Sequence, residues 1–504
     1  MGSSFSSATK PKIFYPPSPE EILVKKPGGG VGPESLSKLV EEHCPSLRKE
    51  FNPPWWLNNG HLQTLFSVAG DFTNIDKVIY ERTYLRLMDG GTLGLDFTPP
   101  GNTFPDDAPI IVVCHGLTGG SYEAYVRAVL APACAPVSEG GLGYRAVVVN
   151  FRGCTSYIAV NPIIHPRHLS QSHVDVVSCS GAGVPVTSKQ LYSAGWTEDL
   201  RMATIYLAHK YPRAPQLGLG FSLGANVMVR YLAEEGERSR LESACVLGNP
   251  WDLVKNNWAL EHTFIGKQVY SKGMANNLVN VLKLHSKALE KVDPPTPSPT
   301  SKYEPDSTQA SLVCAAYHAA LALRSPPLSV FDNTFTRVGG GGPPVWPLAS
   351  ADAYYKHSSS HHVVPHVRKP LLAINSTDDP VVVHAPTSPE EVGSGYTVVV
   401  LTQGGGHLGW FEPSSGQVLV GTDVSKLHLR RWMTKPALEW LRLAAEVLVH
   451  GHPELPPREV VVDENGWIRE VNGVREGLGC RTVESGDLID GTEVKKEPGM
   501  LQGL

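Results

Sequence analysis

The sequence predicts an α/β protein with a mostly parallel central sheet and an antiparallel start. Residues 78–97 contain two short strand-like runs on either side of Asp89-Gly90-Gly91, a pattern typical of a hairpin. Beyond residue 108, short apolar runs alternate with stretches of helical periodicity. Runs that are apolar on both faces suit parallel strands covered by helices. A hairpin followed by alternating strands and helices therefore indicates an α/β sheet.

The central strands and the helices around them are predicted from these runs. We interpret six apolar runs as strands of the sheet: 109–114, 146–149, 217–221, 244–247, 371–374 and 396–401. Helices are predicted at 197–210, 223–236 and 436–449. The last of these opens with Pro436, a favourable residue for the first turn of a helix.

The chain of 504 residues divides into three predicted parts. Residues 1–50 are rich in Pro, Gly and Ser, and we expect them to be loosely ordered. Residues 51–450 form the α/β domain, with an inserted cap at about 254–365 and a stretch without clear periodicity at about 155–184. Residues 451–504 form a polar C-terminal tail.

Composition excludes several classes of protein. The net charge is −5 and there is no lysine–arginine run, so nucleic-acid binding has little electrostatic support. None of the eight cysteines forms a C-x-x-C pair, and we expect reduced thiols. The N-terminus has no apolar segment, and we predict neither a signal peptide nor a membrane span. We expect an intracellular protein, cytoplasmic or peripheral to membranes and lipid droplets.

Residues 220–224 read Gly-Phe-Ser-Leu-Gly and match the nucleophile elbow G-x-S-x-G. In this motif the serine lies on a tight strand-to-helix turn, and the glycines avoid collisions with neighbouring backbone. The context fits, because an apolar strand ends at Phe221 and a helix-like run begins at Leu223. We therefore predict that Ser222 is a nucleophile in an α/β-hydrolase fold.

A serine hydroxyl needs a general base, and this fold supplies its partners in the order serine, acid, histidine. Asp378-Asp379 follows one predicted strand, and His407 follows the last one within a glycine-rich loop. We predict His407 as the base and Asp379 as the residue that orients it. Asp378 remains the alternative acid, and Asp379 is preferred because Val381 follows it by two residues.

The negative oxygen of a tetrahedral intermediate needs two backbone N–H donors. One is predicted to be the N–H of Leu223, next to the nucleophile. The loop after the first central strand, residues 115–120, is rich in glycine, and within it we predict the N–H of Leu117 as the second donor.

Two other patterns are rejected as cofactor or metal sites. Residues 404–409 fit G-x-G-x-x-G, but they do not follow the first strand of a βαβ unit, so we predict no dinucleotide site. His357, His361 and His362 cluster without acidic or thiol partners at ligand spacing, and we predict a solvated loop rather than a metal site. We expect no cofactor.

Motifs beyond the triad resemble those of the AB-hydrolase 4, or YheT-like, family of the α/β-hydrolase superfamily. The family includes bacterial YheT-like hydrolases, acylglycerol and phospholipid hydrolases, and fungal medium-chain ethanol acyltransferases and esterases. The resemblance covers about residues 50–448. It is carried by five motifs: Pro-Pro-Trp-Trp-Leu-Asn-Asn-Gly-His-Leu-Gln-Thr at 53–64, His-Gly-Leu-Thr-Gly-Gly-Ser at 115–121, Asn-Phe-Arg-Gly-Cys at 150–154, Leu-Tyr-Ser-Ala-Gly-Trp-Thr-Glu-Asp-Leu at 191–200 and Asn-Pro-Trp-Asp-Leu at 249–253.

The resemblance implies a triad of Ser222, Asp379 and His407 that acts on acyl esters of lipids or alcohols without a cofactor. The chain departs from the family at 155–184, where relatives have only a few residues. This segment is either a true insertion or a translated intron. Membrane-anchored relatives also carry an N-terminal span, for which this sequence gives no signal.

Three functions are compatible with these residues. The first is a lipase or esterase that cleaves lipid or medium-chain acyl esters through an acyl-enzyme. The second is an alcohol O-acyltransferase that makes fatty acid ethyl esters with the same triad. The third is a catalytically silent binding protein, which a missing triad residue would indicate; none is missing. Within the cap, eight residues are predicted to line an acyl pocket or to form cap core: Leu260, Phe264, Ile265, Val269, Tyr270, Leu278, Val279 and Val281.

Overall fold

The computed structural model describes residues 9–101, 104–154, 176–178, 183–290, 307–414, 427–451, 458–471 and 478–483. Most of the segment at 155–184, which the sequence offers as an insertion or a translated intron, lies outside these ranges.

Seventeen strands are present in the described ranges. They are β1 (Lys12–Phe14), β2 (Glu21–Lys25), β3 (Val31–Ser35), β4 (Ile79–Leu87), β5 (Thr92–Thr98), β6 (Ile110–Cys114), β7 (Arg145–Asn150), β8 (Val176–Ser178), β9 (Gln216–Phe221), β10 (Leu241–Leu247), β11 (Leu371–Ser376), β12 (Thr397–Thr402), β13 (Phe411–Pro413), β14 (Leu429–Arg431), β15 (Val460–Val462), β16 (Ile468–Glu470) and β17 (Cys480–Val483).

One large sheet organises the fold. Its strand order is β1-β12-β11-β10-β9-β6-β7-β5-β4-β17-β16-β15, and β8 pairs with β4 outside this path. The run from β12 to β7 is parallel, whereas β5 and β4 form the antiparallel hairpin that begins the domain. This arrangement confirms the predicted mostly parallel sheet with an antiparallel start.

Helices connect the strands and cover the sheet. They are α1 (Leu36–His43), α2 (Gly60–Ala69), α3 (Ala124–Cys134), α4 (Glu198–Lys210), α5 (Leu223–Glu235), α6 (Leu253–His262), α7 (Lys272–Leu284), α8 (Ser286–Glu290), α9 (Ser307–Leu321), α10 (Leu328–Phe331), α11 (Arg337–Gly339), α12 (Ala351–Ser358), α13 (Pro389–Val392) and α14 (Thr434–Arg442). The predicted helix at 436–449 is α14 followed by a π-helical turn, Leu443–Val447.

The central strands are buried on both faces, as the continuous apolar runs predict. In β6, Ile111 and Val113 belong to one apolar layer, with residues of α1, α3 and α14. Ile110, Val112 and Cys114 belong to the opposite layer, with residues of α4 and α5. Because a strand alternates its side chains, such a run needs helices on both sides of the sheet.

The prediction of a loosely ordered segment at residues 1–50 is wrong for the described residues 9–50. β1 pairs with β12 at one edge of the sheet, and β2 and β3 form a hairpin that leads into α1. Leu36 and Leu39 are buried in the same apolar layer as Trp440. Composition gave the wrong prediction because Pro and Gly content describes only local chain preference. Here a few apolar side chains are buried and a strand pairs with an open sheet edge, and these tertiary contacts order the segment.

The interpretation of residues 451–504 as a polar tail also needs correction where they are described. β17 pairs with β4, and β16 and β15 extend the sheet further. Trp467 and Cys480 are buried. These strands cover the edge that the opening hairpin would otherwise leave unpaired.

The region between β10 and β11, where the sequence predicts a cap at about 254–365, is helical over its described residues. It contains α6 to α12, with π-helical turns at Gly266–Ser271 and Asp332–Thr336. No helix in the described ranges combines the length and the apolar composition that crossing a bilayer requires.

Candidate active site

Ser222 lies at the sharp turn between β9, which ends at Phe221, and α5, which begins at Leu223. Its φ is 50° and its ψ is −120°, a conformation that residues other than glycine rarely adopt. Backbone strain of this kind costs on the order of 1–3 kcal/mol and persists only where the surroundings hold it. Here the N–H of Ser222 donates to the carbonyl of Leu247 in β10 at 2.9 Å. The turn therefore holds the hydroxyl at the carboxyl edge of the sheet.

The two glycines of the motif are required by close backbone contacts. A Cβ at Gly224 would lie 2.3 Å from the carbonyl oxygen of Cys114 and 2.4 Å from that of His115. A Cβ at Gly220 would lie 2.7 Å from the Cα of Ala225. These distances are far below van der Waals contact. Only glycine at 220 and 224 therefore allows α5 to lie so close to the backbone of β6 and to the end of β9.

His407 lies in the loop after β12, and its imidazole joins Ser222 to Asp379. Nε2 is 2.8 Å from Ser222 Oγ, and Nδ1 is 2.7 Å from Asp379 Oδ2. An ionised carboxylate can only accept, so Nδ1 donates to Asp379 and Nε2 is left to accept from the hydroxyl. All three side chains are buried. In this geometry the imidazole can take the serine proton, and the carboxylate can stabilise the resulting imidazolium.

The two neighbouring aspartates have different surroundings. Asp379 accepts from the imidazole of His407 and, through Oδ1, from the N–H of Val381 at 2.8 Å. Asp378 accepts from the N–H of Gly406 at 3.2 Å instead, and so contacts the backbone of the histidine loop. The structure therefore brings Asp379, and not Asp378, to the imidazole.

Helix α2 holds the histidine loop in place. The N–H of His407 donates to Thr64 Oγ1 at 2.8 Å, and this hydroxyl donates to the carbonyl of Gly60 at 2.7 Å. A Cβ at Gly60 would lie 1.8 Å from the carbonyl oxygen of Asp378. Asn59 caps α2 by accepting from the N–H of its third residue. The motif at 53–64 therefore positions the histidine, a role that sequence reasoning missed because it saw only a family signature.

The predicted oxyanion donor Leu117 lies between two residues whose N–H groups are already engaged. The N–H of Gly116 donates to the hydroxyl of Tyr125 at 3.0 Å, and that of Thr118 donates to Tyr192 at 3.0 Å. No hydrogen bond recorded among the described residues uses the N–H of Leu117. Two buried tyrosines thus fix this loop and leave one amide free to meet a ligand.

Leu223, the other predicted donor, is the first residue of α5, where N–H groups have no partner within the helix. Leu117, Ser222 and Leu223 line the same cavity. The helix N-terminus adds partial positive charge at this point. The two amides and the hydroxyl are therefore arranged around one space.

A buried arginine braces the far side of the histidine loop. Arg431 donates to the carbonyls of Leu408 and Gly409, the latter at 3.0 Å, and its guanidinium lies 4.3 Å from the ring centre of Phe411. Burial lowers the pKa of Arg431 to about 9. Nothing in the sequence singled out this residue, because its partners become neighbours only in the fold.

The motifs at 150–154 and 191–200 meet in a buried ion pair. Arg152 donates to Asp199 at 2.6 Å and to Asp89 at 2.7 Å, and Trp196 Nε1 donates to Asp199 at 3.1 Å. Burial raises the pKa of Asp199 against the opposing effect of Arg152. The pair joins the end of β7 to the start of α4, next to the segment that carries Tyr192.

A cavity of about 830 Å³, part of it open to solvent, lies above Ser222. Its walls come from the sheet edge and from the cap, and most of its lining is apolar or aromatic. The lining residues are Leu117, Tyr192, Ser193, Ala194, Ser222, Leu223, Pro250, Leu253, Asn256, Asn257, Leu260, Met274, Leu278, Leu328, Asp332, Thr336, Tyr354, Tyr355 and Val381.

The structure divides the eight cap residues that the sequence offered as pocket or core. Leu260 and Leu278 line the cavity. Val279 and Val281 pack in a separate apolar cluster of the cap. Phe264 is 81% exposed and, like its neighbour Ile265, lies at the surface. Of the other two, Val269 packs beside Leu260, and Tyr270 is buried with its hydroxyl 2.9 Å from His61 Nδ1.

The patterns rejected as cofactor or metal sites have other contacts. Gly404–Gly409 is the histidine loop itself. His361 Nδ1 contacts the carbonyl of Trp251 at 2.9 Å. Within the described ranges, no three His, Cys, Asp or Glu side chains are grouped so that they would hold a metal ion.

Comparison with known proteins finds relatives that span most of the chain, whereas no family model matches. A "Monoacylglycerol lipase" of Saccharomyces cerevisiae is 28% identical over 457 residues, which cover 83% of this chain and 86% of the relative. A "Medium-chain fatty acid ethyl ester synthase/esterase 2" of the same yeast is 25% identical, and the aligned region covers 82% of this chain and 90% of the relative. "Phospholipase ABHD3" of Mus musculus is 26% identical, and the aligned region covers 77% of this chain and 80% of the relative.

These similarities cover between 77% and 83% of the chain. The order of the chain elements agrees with them: the serine follows a central strand, and the acid and the histidine follow the last two parallel strands. The protein therefore has the α/β-hydrolase fold, and over most of its length it is similar to these lipases, phospholipases and esterases.

Proposed function

We propose that this protein is a serine hydrolase that cleaves carboxylic esters of lipids through an acyl-enzyme. The observation that supports the proposal most strongly is the hydrogen-bonded series Ser222–His407–Asp379 at the floor of a largely apolar cavity. Apolar walls favour a fatty acyl chain, since burying each CH₂ group contributes about 0.8 kcal/mol.

The reaction follows from the positions of the atoms. His407 Nε2 takes the proton of Ser222 as Oγ attacks the ester carbonyl, and the N–H groups of Leu117 and Leu223 stabilise the negative oxygen. The carbon–oxygen bond to the alcohol then breaks, and the imidazolium gives its proton to the departing alkoxide. Water next attacks the acyl-enzyme, with His407 again as base, and releases the fatty acid and the free serine.

The names of the relatives support hydrolysis of lipid esters as the main activity. Two of them are named for lipase or phospholipase activity, and the third for both synthesis and hydrolysis of ethyl esters. Transfer to ethanol would use the same acyl-enzyme with an alcohol in place of water. Because the names of these three relatives contain lipase, phospholipase or esterase, hydrolysis is the function that we propose.

Contact with a lipid surface forms part of this proposal. Trp258, Phe264 and Ile265 are exposed apolar side chains on the cap, on or directly after a helix that lines the cavity. Lys255 and Lys267 lie exposed in the same stretch of chain, where they pair with Asp252 and Glu261 and can also contact anionic headgroups. The described cysteines are all free and buried, which fits a reducing compartment. We therefore propose an intracellular protein, cytoplasmic or peripheral to membranes.

Labelling with a fluorophosphonate probe tests the nucleophile. We expect the wild-type protein to react covalently and Ser222→Ala to stay unlabelled. Release of fatty acid from a series of monoacylglycerols should then follow the same pattern, with activity in the wild type alone. A folded wild-type protein that neither reacts with the probe nor releases fatty acid would favour a silent binding protein and refute the proposed function.

A further inference from the structure

Three side chains in the cavity wall carry buried polar atoms that have no partner among the described residues. They are Ser193 Oγ, Asn256 Nδ2 and Asn257 Oδ1. Ser193 is 2% exposed and Asn256 is 4% exposed. A buried polar group without a partner is destabilising, so such groups are uncommon in folded proteins, and in a cavity wall they are open to a bound ligand or water.

The amide of Asn256 is held in one orientation. Its Oδ1 accepts from the N–H of Val383 at 3.1 Å. A backbone N–H can be satisfied only by the amide oxygen, so Nδ2 is the atom that remains free. Asn256, Asn257, Leu253 and Leu260 occupy one face of α6 and all line the cavity. The free amide therefore belongs to the inner face of this helix.

A second group of polar side chains also lines the cavity. Asp332 is buried and accepts from Thr336 Oγ1 at 2.6 Å and from the Tyr355 hydroxyl at 2.7 Å. Both hydroxyl protons are thereby committed, and the two oxygens can still accept. Ser193 adjoins this group, since a Cβ at Gly340 would lie 3.0 Å from both Ser193 Cβ and Thr336 Cγ2.

The cavity therefore has two chemically different parts. Leu260, Met274 and Val381 belong to one apolar cluster, against which Leu117 and Leu328 pack. The polar part offers the amide N–H of Asn256 as a donor and the oxygens of Asn257, Thr336 and Tyr355 as acceptors. The hydroxyl of Ser193 can donate or accept a hydrogen bond. A ligand that satisfies these groups must bring both donors and acceptors, as a compound with two free hydroxyl groups does.

We infer that Ser193, Asn256 and Asn257 form a subsite for the free hydroxyl groups of a polyol leaving group, such as the glycerol of a monoacylglycerol. This inference rests on the proposed ester hydrolysis. The acyl chain occupies the apolar part, and the subsite selects glyceryl esters over esters of simple alcohols with the same acyl chain. Ser193, Asn256 and Asn257 determine specificity in this assignment and take no part in proton transfer.

The test compares two substrates that share one acyl chain, a 1-monoacylglycerol and the matching ethyl ester, which lacks free hydroxyl groups. The variants Ser193→Ala and Asn257→Leu each remove one partner, and Asn256→Asp keeps the oxygen that Val383 needs while removing the donor. We expect each to lower the ratio of kcat/KM for the glyceryl ester to kcat/KM for the ethyl ester about ten-fold, the effect of one lost hydrogen bond.

Two controls make the result specific. Asn280→Leu introduces the same change on an exposed position of α7, and it should leave the ratio at the wild-type value. Leu260→Ala, in the apolar wall, should lower both activities and leave the ratio unchanged. If Asn257→Leu does not fold, the smaller Ser193→Ala change carries the test.

The outcomes separate the subsite from the reaction. A ratio that stays at the wild-type value in all three variants would overturn the subsite, because water would then satisfy these atoms. Equal losses on both esters would also overturn it and would indicate a positioning role instead. A folded wild-type protein that hydrolyses neither ester would refute the proposed function, and the subsite with it.

Discussion

The sheet edge and the cap that faces it differ in how their polar groups are satisfied. At the sheet edge, the imidazole of His407 and the carboxylate of Asp379 have partners within 2.9 Å, and backbone N–H groups hold the loops around them. In the cap, Asn256 and Asn257 present buried atoms that no described residue pairs. The edge is organised before substrate binds, whereas the cap wall is completed by the substrate. Catalysis gains from groups that need not reorganise, and selectivity gains from groups that only the right ligand satisfies.

Replacing the nucleophile should produce the largest loss of activity, because the organised sheet edge then has no group that can attack the ester. Ser222→Ala removes the attacking oxygen, and we expect kcat to fall on the order of 10⁴- to 10⁶-fold while the protein remains folded. Steady-state ester hydrolysis measures the loss of kcat, and circular dichroism during unfolding shows whether the variant is folded. Turnover near the wild-type rate would mean that another residue attacks the ester.

Replacing each of the two neighbouring aspartates by asparagine, one at a time, should separate their roles. Asp379→Asn leaves no carboxylate to fix the imidazole tautomer, and we expect kcat to fall about 10⁴-fold. Asp378→Asn keeps an oxygen for the N–H of Gly406 and serves as the matched control, with a much smaller loss. Comparable losses in the two variants, measured by kcat on one ester, would contradict the assignment of the acid.

The buried acid in the cap wall should make stability depend on pH. Burial raises the pKa of Asp332 from its ordinary value of 3.8 to about 6. The folded state therefore binds this proton more tightly than the unfolded state does. The resulting stabilisation is complete below pH 3.8 and is lost as pH rises through about 6. Asp332→Asn lacks this titration, so its stability relative to the wild type should rise between pH 4 and pH 7 by up to about 3 kcal/mol.

Chemical denaturation of both proteins at several pH values measures this difference. Contributions from the other titrating groups largely cancel, because they are present in both proteins. Parallel stability curves would show that the Asp332 carboxyl titrates at its ordinary pKa. The cap wall would then be better solvated than the contacts of Asp332 with Thr336 and Tyr355 indicate.

The smallest effect should come from loosening the histidine loop. Thr64→Val preserves the shape of the side chain but leaves the N–H of His407 without an acceptor, and we expect kcat to fall about ten-fold with little change in KM. Thr64→Ser restores the hydroxyl and should recover most of the activity. If serine fails to rescue, or if KM changes instead of kcat, Thr64 does not act by positioning His407.

The site could be predicted from the sequence to the extent that its signals are local. The elbow at Ser222 shows itself because the glycines, the strand and the helix are adjacent in the chain. The choice between Asp378 and Asp379 depended on which side chain reaches an imidazole about thirty residues away, and the residue pattern alone left both open. Thr64 could not be assigned a role, since it meets His407 across 343 residues of chain.

The sequence by itself determined the alternation of strands and helices, the nucleophile turn and the order of the triad, because apolar periodicity and backbone sterics act over a few residues. Tertiary structure alone decided that residues 9–50 and the strands beyond 458 complete the sheet. It also decided that Arg431 and α2 brace the histidine loop, and that three polar atoms without a partner among the described residues line the cavity. These features depend on hydrogen bonds and burial between distant segments, and such contacts come into existence only when the chain packs.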